Sequence, residues 1–112
     1  MKDRTEGGVQ VSFSSARGAS EDVVKALDPQ VTGGDLLRLA VHREPPVRAA
    51  VASRHDCPAG ALISLGHDHS VEVLEALIAN PRTPSSVIRN LADSRNEKIS
   101  GAAVQRLRNS YR

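Results

Sequence analysis

The chain is nearly without aromatic side chains. Phe13 and Tyr111 are the only two among 112 residues, both near the ends, and there is no tryptophan. The interior must therefore be built from Ala, Val, Leu and Ile. Small aliphatic side chains let helices approach closely, which suits stacked helical hairpins better than a sandwich or barrel. Cysteine is almost missing as well. The single Cys57 excludes an internal disulfide framework and any cluster held by this chain's cysteines alone. No stretch approaches the roughly 20 consecutive apolar residues of a spanning helix, so no membrane partner is expected. The opening Met1 to Gln10 is polar and glycine-containing, unlike an apolar leader. With the lone cysteine, this points to a reducing cytoplasm.

An excess of charge of one sign is also lacking. Lys and Arg number 15 against 13 Asp and Glu, a formal +2, too balanced to imply nucleic acid by itself. From Arg95 onward, however, five bases (Arg95, Lys98, Arg106, Arg108, Arg112) face one acid, Glu97. That basic end is the one asymmetry of the chain. Catalytic signatures are missing too. No serine has a nucleophile-elbow context, no glycine run resembles a phosphate loop, and no carboxylate pair marks a cleft. The expectation is a protein that is not an enzyme, with no catalytic, cofactor-binding or metal-binding residue.

What the chain does have is an internal repeat, and this decides the expected fold. Residues 1–18 offer little to bury and read as a disordered N-terminal tail, although Val9, Val11 and Phe13 alternate as a short strand would. Residues 19–112 form the α-helical repeat domain. Shifted by 26 residues, apolar positions fall on apolar positions: Leu36 on Leu62 and Ile88, Leu39 on Leu65 and Leu91, Val47 on Val73 and Ile99. Ala50 falls on Ala76 and Ala102, and Val51 on Leu77 and Ala103. Pro58 matches Pro84. Each copy reads as two short helices. The first has the versions 46–53, 70–79 and 96–107, with Val73, Leu74, Leu77 and Ile78 on one helical face. The second carries Leu62 and Leu65, or Val87, Ile88 and Leu91. Thr83 before Pro84 reads as an N-cap with proline at the first helical position. Ser94 with Glu97, and Thr32 with Asp35, have capping-box spacing. The predicted architecture is all-α: a short right-handed α-solenoid of three to four two-helix repeats.

The strings Val47-Arg48-Ala49-Ala50-Val51-Ala52-Ser53 and Ile78 to Asp93, with its Asn80-Pro81-Arg82-Thr83-Pro84 turn, resemble the bacterial leucine-rich repeat variant. That family is a relative in style of HEAT repeats, and the resemblance covers about Ser20 to Leu107. It implies a right-handed stack of alternating helices, some of them 3-10 helices, and a binding role. The copies here are slightly longer than that family's unit, and the first is degenerate. The iron–sulfur cluster of one such protein does not transfer, because its cysteines are missing.

Among individual residues, His55, Cys57, His67 and His69 carry ligand atoms suited to zinc. They lie at opposite ends of one helix, however, roughly 12–15 Å apart, so solvated loop residues are the reading, with His42 capping a helix C-terminus. Cys57 could be activated at a helix N-terminus, but it aligns with Thr83 and reads as an N-cap substitute. Arginine outnumbers lysine twelve to three, and forked guanidinium groups suit interfaces and phosphates. Arg48, Arg82, Arg89, Arg106 and Arg108 are the candidate partner contacts. The expected function is a scaffold or adaptor module that mediates protein–protein interaction. The alternative is nucleic-acid binding through the arginines and the basic end, against which stand the interspersed acids and the lack of stacking aromatics. Apolar faces at open repeat ends would allow self-association.

Overall fold

In a computed structural model of the chain, residues 14–110 are described, and every regular element among them is an α-helix. In chain order these are α1 (Ser14–Leu27), α2 (Gly33–Ala40), α3 (Pro45–Ala52), α4 (Ala59–Leu65), α5 (Val71–Ala79), α6 (Ser85–Ala92) and α7 (Glu97–Ser110). The described residues contain no strand and no 3-10 helix. Helix α1 begins within the segment read as a tail, and the Val9, Val11, Phe13 alternation lies outside the described residues. No helix among them is long and apolar enough to cross a membrane.

The first helices of successive hairpins pack on one another in order, α1 on α3, α3 on α5 and α5 on α7. The shorter helices sit beside them, α2 on α3, α4 on α5 and α6 on α7, with α2 also touching α4. The buried side chains follow the spacing of the apolar positions. The largest fully buried ones are Leu36, Leu62, Leu77, Ile88, Ile99, Val47, Val51 and Val73. All of them belong to three of the 26-residue columns. Each such side chain contributes about 1.5–3 kcal/mol when withdrawn from water.

A second set of contacts recurs at the same interval and is polar. Arg54 donates from Nη1 to the carbonyl oxygens of Ala26 and Asp28, at 2.9 and 2.8 Å. Asn80 donates from Nδ2 to those of Ala52 and Arg54, at 2.7 and 2.8 Å. Arg106 donates from Nη1 to those of Ile78 and Asn80. Residues 54, 80 and 106 thus each reach back 28 and 26 residues. The last carbonyls of a helix have no partner within it, and this ladder supplies one from the next hairpin.

The capping differs from expectation in three places. Pro84 and Pro58 are themselves the N-cap residues of α6 and α4, with extended ψ near 144° and 143°. Thr83 instead donates its hydroxyl to the Leu77 carbonyl at 2.7 Å, closing the end of α5. The α7 cap is Asn96, whose Oδ1 accepts the N–H groups of Lys98 and Ile99. Ser94 accepts the Asn96 N–H one step earlier, so its box with Glu97 is not formed. Thr32 is the N-cap of α2 but makes no side-chain bond there.

Candidate functional site: a groove between α2 and α4

Two of the five candidate arginines are turned inward. The Arg48 guanidinium grips Asp68 with two bonds, Nε to Oδ2 at 2.6 Å and Nη2 to Oδ1 at 3.0 Å, and gives Nη1 to the carbonyls of His42 and Arg43. Arg106 is spent on the ladder and on the Pro81 carbonyl. Arg82, Arg89 and Arg108 are exposed. Arg82 lies beside the Pro81 carbonyl that Arg106 holds, Arg89 is in the last turn of α6, and Arg108 in the last turn of α7. Arginine content alone did not separate these roles, because a guanidinium with several carbonyls in reach is as useful to a helix end as to a partner.

The Arg48–Asp68 pair has a counterpart. Asp22 Oδ2 lies 2.8 Å from His42 Nε2, and residues 22 and 42 precede 48 and 68 by 26 each. The same contact is made twice with acid and base exchanged. His42 Nδ1 accepts the Glu44 N–H at 3.0 Å, which assigns the ring proton to Nε2, facing Asp22. His42 therefore braces α1 and the α2–α3 turn. Burial pushes the Asp68 carboxyl up, but the Arg48 bonds and the Ser70 N–H outweigh it and hold the group below the ordinary carboxylate range. The bond to Asp68 raises Arg48 further, against its own burial.

This pair borders an apolar groove of about 660 Å³ on the α2 and α4 side. Leu37, Ala40 and Val41 form one wall. Pro58, Gly60, Ala61, Ser64 and Leu65 form the other. Leu37 is 46% exposed and Val41 80%. Helix α4, AGALISL, contains no charged residue. A second groove, of about 320 Å³, lies 26 residues further along, between α4 and α6. There Ile63, Gly66, Val87 and Asn90 replace Leu37, Ala40, Ala61 and Ser64. The difference in size has a side-chain origin. Gly60, Ala61 and Ser64 are each smaller than Ser86, Val87 and Asn90. In the second groove Val87 packs so closely that a Cβ on Gly66 would lie 2.9 Å from its Cγ1. The groove was missed from sequence because Leu37 and Val41 fall outside the aligned columns. The sequence signal was the run of small residues on one helix of the repeat.

The other candidates do not converge. His55, His67 and His69 are exposed and Cys57 is buried. Among the described residues no three His, Cys, Asp or Glu side chains are placed to hold a metal ion. Cys57 caps nothing: its thiol faces the Pro58 carbonyl at 3.7 Å. Burial, and then the charge of Asp56, push it up to about 11. Comparison of the chain with family models, with curated proteins and with solved structures finds no match.

Proposed function

We propose that the chain is a non-enzymatic helical-repeat module that mediates protein–protein interaction as a scaffold or adaptor in a reducing cytoplasm. Its fold is a short right-handed solenoid in the style of the leucine-rich repeat variant and HEAT repeats. The ladder from Arg54, Asn80 and Arg106 supports the solenoid, because each hairpin meets the preceding one through the same bonds. The groove between α2 and α4 carries the functional reading. It is lined by uncharged side chains together with His67 and one internally satisfied ion pair, and two apolar side chains stand exposed at its rim. An apolar patch edged by polar groups marks a protein-binding surface more readily than a phosphate-binding one.

The nucleic-acid alternative loses Arg48 and Arg106 to internal bonds, and Arg54 pairs with Asp56 through two more. On α1, Glu21 and Lys25 stand exposed at the positions 26 residues before the buried Val47 and Val51, and Asp28 stands before the ladder donor Arg54. Val24 and Leu27 are exposed on the same helix, so this edge is mixed in character, less apolar than the faces buried between helices, and end-to-end self-association is the weaker reading. The test is selection of a displayed random-peptide library on the folded chain. Peptides that bind saturably should be enriched. Failure to enrich any, together with saturable binding of duplex DNA at physiological salt, overturns the reading.

A further inference from the structure

We propose that the α2–α4 groove takes a short amphipathic helix from a partner protein, with an aliphatic side chain seated over Ala61 between Leu37 and Val41. This rests on the protein-interaction reading above and names the kind of partner. The first argument is size. Helices α2 and α4 have eight and seven residues, so the groove is about 12 Å long. A strip of that length falls far short of the roughly 800 Å² per partner that a stable pair of folded domains buries. A second copy of the chain, or any globular partner using this face alone, has too little to hold. A short segment fits it.

The second argument is the backbone of the occupant. The walls are side chains of two helices and their caps, and the described residues contain no strand. The walls present no free strand edge to an incoming chain. An extended peptide would bury its polar backbone against Leu37, Ala40, Val41 and Ala61 without partners, at about 1–3 kcal/mol for each group. A helix brings its backbone already satisfied and meets a groove with side chains at i, i+3 and i+4.

The third argument is the neighbouring groove, which displays what fills such a space. There Val87 lies against Gly66. In the α2–α4 groove the equivalent residue is Ala61, and the flanking Gly60 and Ser64 are also cut back. Ala40 stands where the neighbouring groove has Gly66, so its methyl group takes part of the room that Val87 fills there, and the rest of the wall above Ala61 is open to an aliphatic side chain from outside. Such a side chain can enter without disturbing the Arg48–Asp68 pair.

The experiment uses the full chain and a displayed library of peptides about four helical turns long. Leu, Ile and Val are varied at i, i+3, i+4 and i+7, and Glu, Lys and Gln occupy the other positions. Enriched peptides are synthesised and their affinity is measured against three proteins: the native chain, Leu37→Gln/Val41→Glu, and Ile63→Gln. Both variants change exposed side chains, and unchanged circular dichroism and melting confirm that they fold. The expected result is a loss of about tenfold or more for the double variant, no loss for Ile63→Gln, and helix induction in the peptide on binding. Peptides that bind the double variant equally well, or that bind without becoming helical, overturn this inference but leave the interaction reading standing. If this library yields no binder while random peptides do bind the chain, the groove assignment alone is overturned. If neither library yields one and duplex DNA binds, both readings fall.

Discussion

Asn80 donates its side-chain amide to the carbonyl oxygen of Arg54, 26 residues earlier, at 2.8 Å, and Arg106 repeats the bond onto Asn80 itself at 3.0 Å. Each hairpin is thus fastened to the one before it at the C-terminal end of its first helix. The donor need not be the same residue, since Arg and Asn both place N–H groups between two carbonyls. Asn80 is the most demanding member. It is 2% exposed, gives to two carbonyls, and accepts the Arg82 N–H at 2.9 Å.

Asn80→Ala should therefore cost about 2–4 kcal/mol, because it strands the Ala52 carbonyl and the Arg82 N–H and leaves the Arg54 carbonyl with the Cys57 N–H alone. Asn80→Asp should cost at least as much above the carboxylate range, where a negative charge would face the same two carbonyls. Urea unfolding monitored by circular dichroism measures both. A loss for Asn80→Ala below about 1 kcal/mol would show that water replaces the side chain and that the ladder is not what joins the hairpins.

Leu77 belongs to the innermost column, fully buried with Val51 and Ala103. Its truncation to Ala should cost about 2–5 kcal/mol, the range for a core leucine whose cavity cannot collapse. Val24 is 70% exposed on α1, and its change to Ala should stay within about 0.5 kcal/mol. Equal effects at the two sites, in the same unfolding assay, would refute the burial pattern.

Leu77 and Asn80 mark what could be read from sequence and what could not. The column of Val51, Leu77 and Ala103 is legible because packing demands the same apolar character in every copy. The polar contacts are harder to see, since they conserve geometry rather than residue type. Asp22 with His42 and Arg48 with Asp68 exchange acid for base across the shift, so alignment by type hides them. Arg106 looked like a surface contact because its charge is visible in sequence and its carbonyl acceptors are not. Thr83-Pro84 looked like a cap because a hydroxyl before proline usually is one. The Leu77 carbonyl, six residues back, is reached only through the turn that follows α5. The groove depends on Gly60, Ala61 and Ser64 being small, which gains meaning only beside Ser86, Val87 and Asn90.

The Asp68 carboxyl is held low by Arg48 and by the Ser70 N–H despite its burial. A carboxyl that holds its proton less readily in the folded chain than in the unfolded one stabilises the fold above the unfolded pKa, about 3.9. That stability is lost as pH falls through the lower folded value. The urea midpoint should accordingly drop between about pH 5 and pH 2. Asp68→Asn, which keeps an acceptor for Ser70, should flatten part of that drop and lower the midpoint at neutral pH. An unchanged acid limb in the variant would remove Asp68 from the account.

Cys57 should be inert in the folded chain. Its thiol is buried and raised to about 11. At neutral pH this leaves a thiolate fraction smaller by about two orders of magnitude than an unperturbed thiol has. Alkylation by iodoacetamide at neutral pH should be at least about a hundredfold slower than in urea. A folded-state rate near the unfolded one would show that the α3–α4 turn opens freely.

The last prediction separates protein from nucleic acid as partner, and the fold dictates which arginines to change. Neutralising Arg106 would cut the carbonyl ladder at Ile78 and Asn80, so weaker binding in that variant could arise from unfolding alone. Arg89 and Arg108 are exposed, and no hydrogen bond from either guanidinium is found among the described residues, so Arg89→Gln/Arg108→Gln removes charge and leaves the ladder intact. A duplex held by about five Lys or Arg contacts would show a log–log salt slope of about −4 to −5, and losing two contacts would reduce it by about 2. The expectation is otherwise: no saturable duplex binding at about 0.15 M salt, where exposed charges are screened beyond roughly 8 Å, and no change in the affinity of groove-directed peptides. Micromolar or tighter duplex binding at that salt, lost in the double variant while its melting temperature is unchanged, would make the arginine face the functional surface instead of the groove.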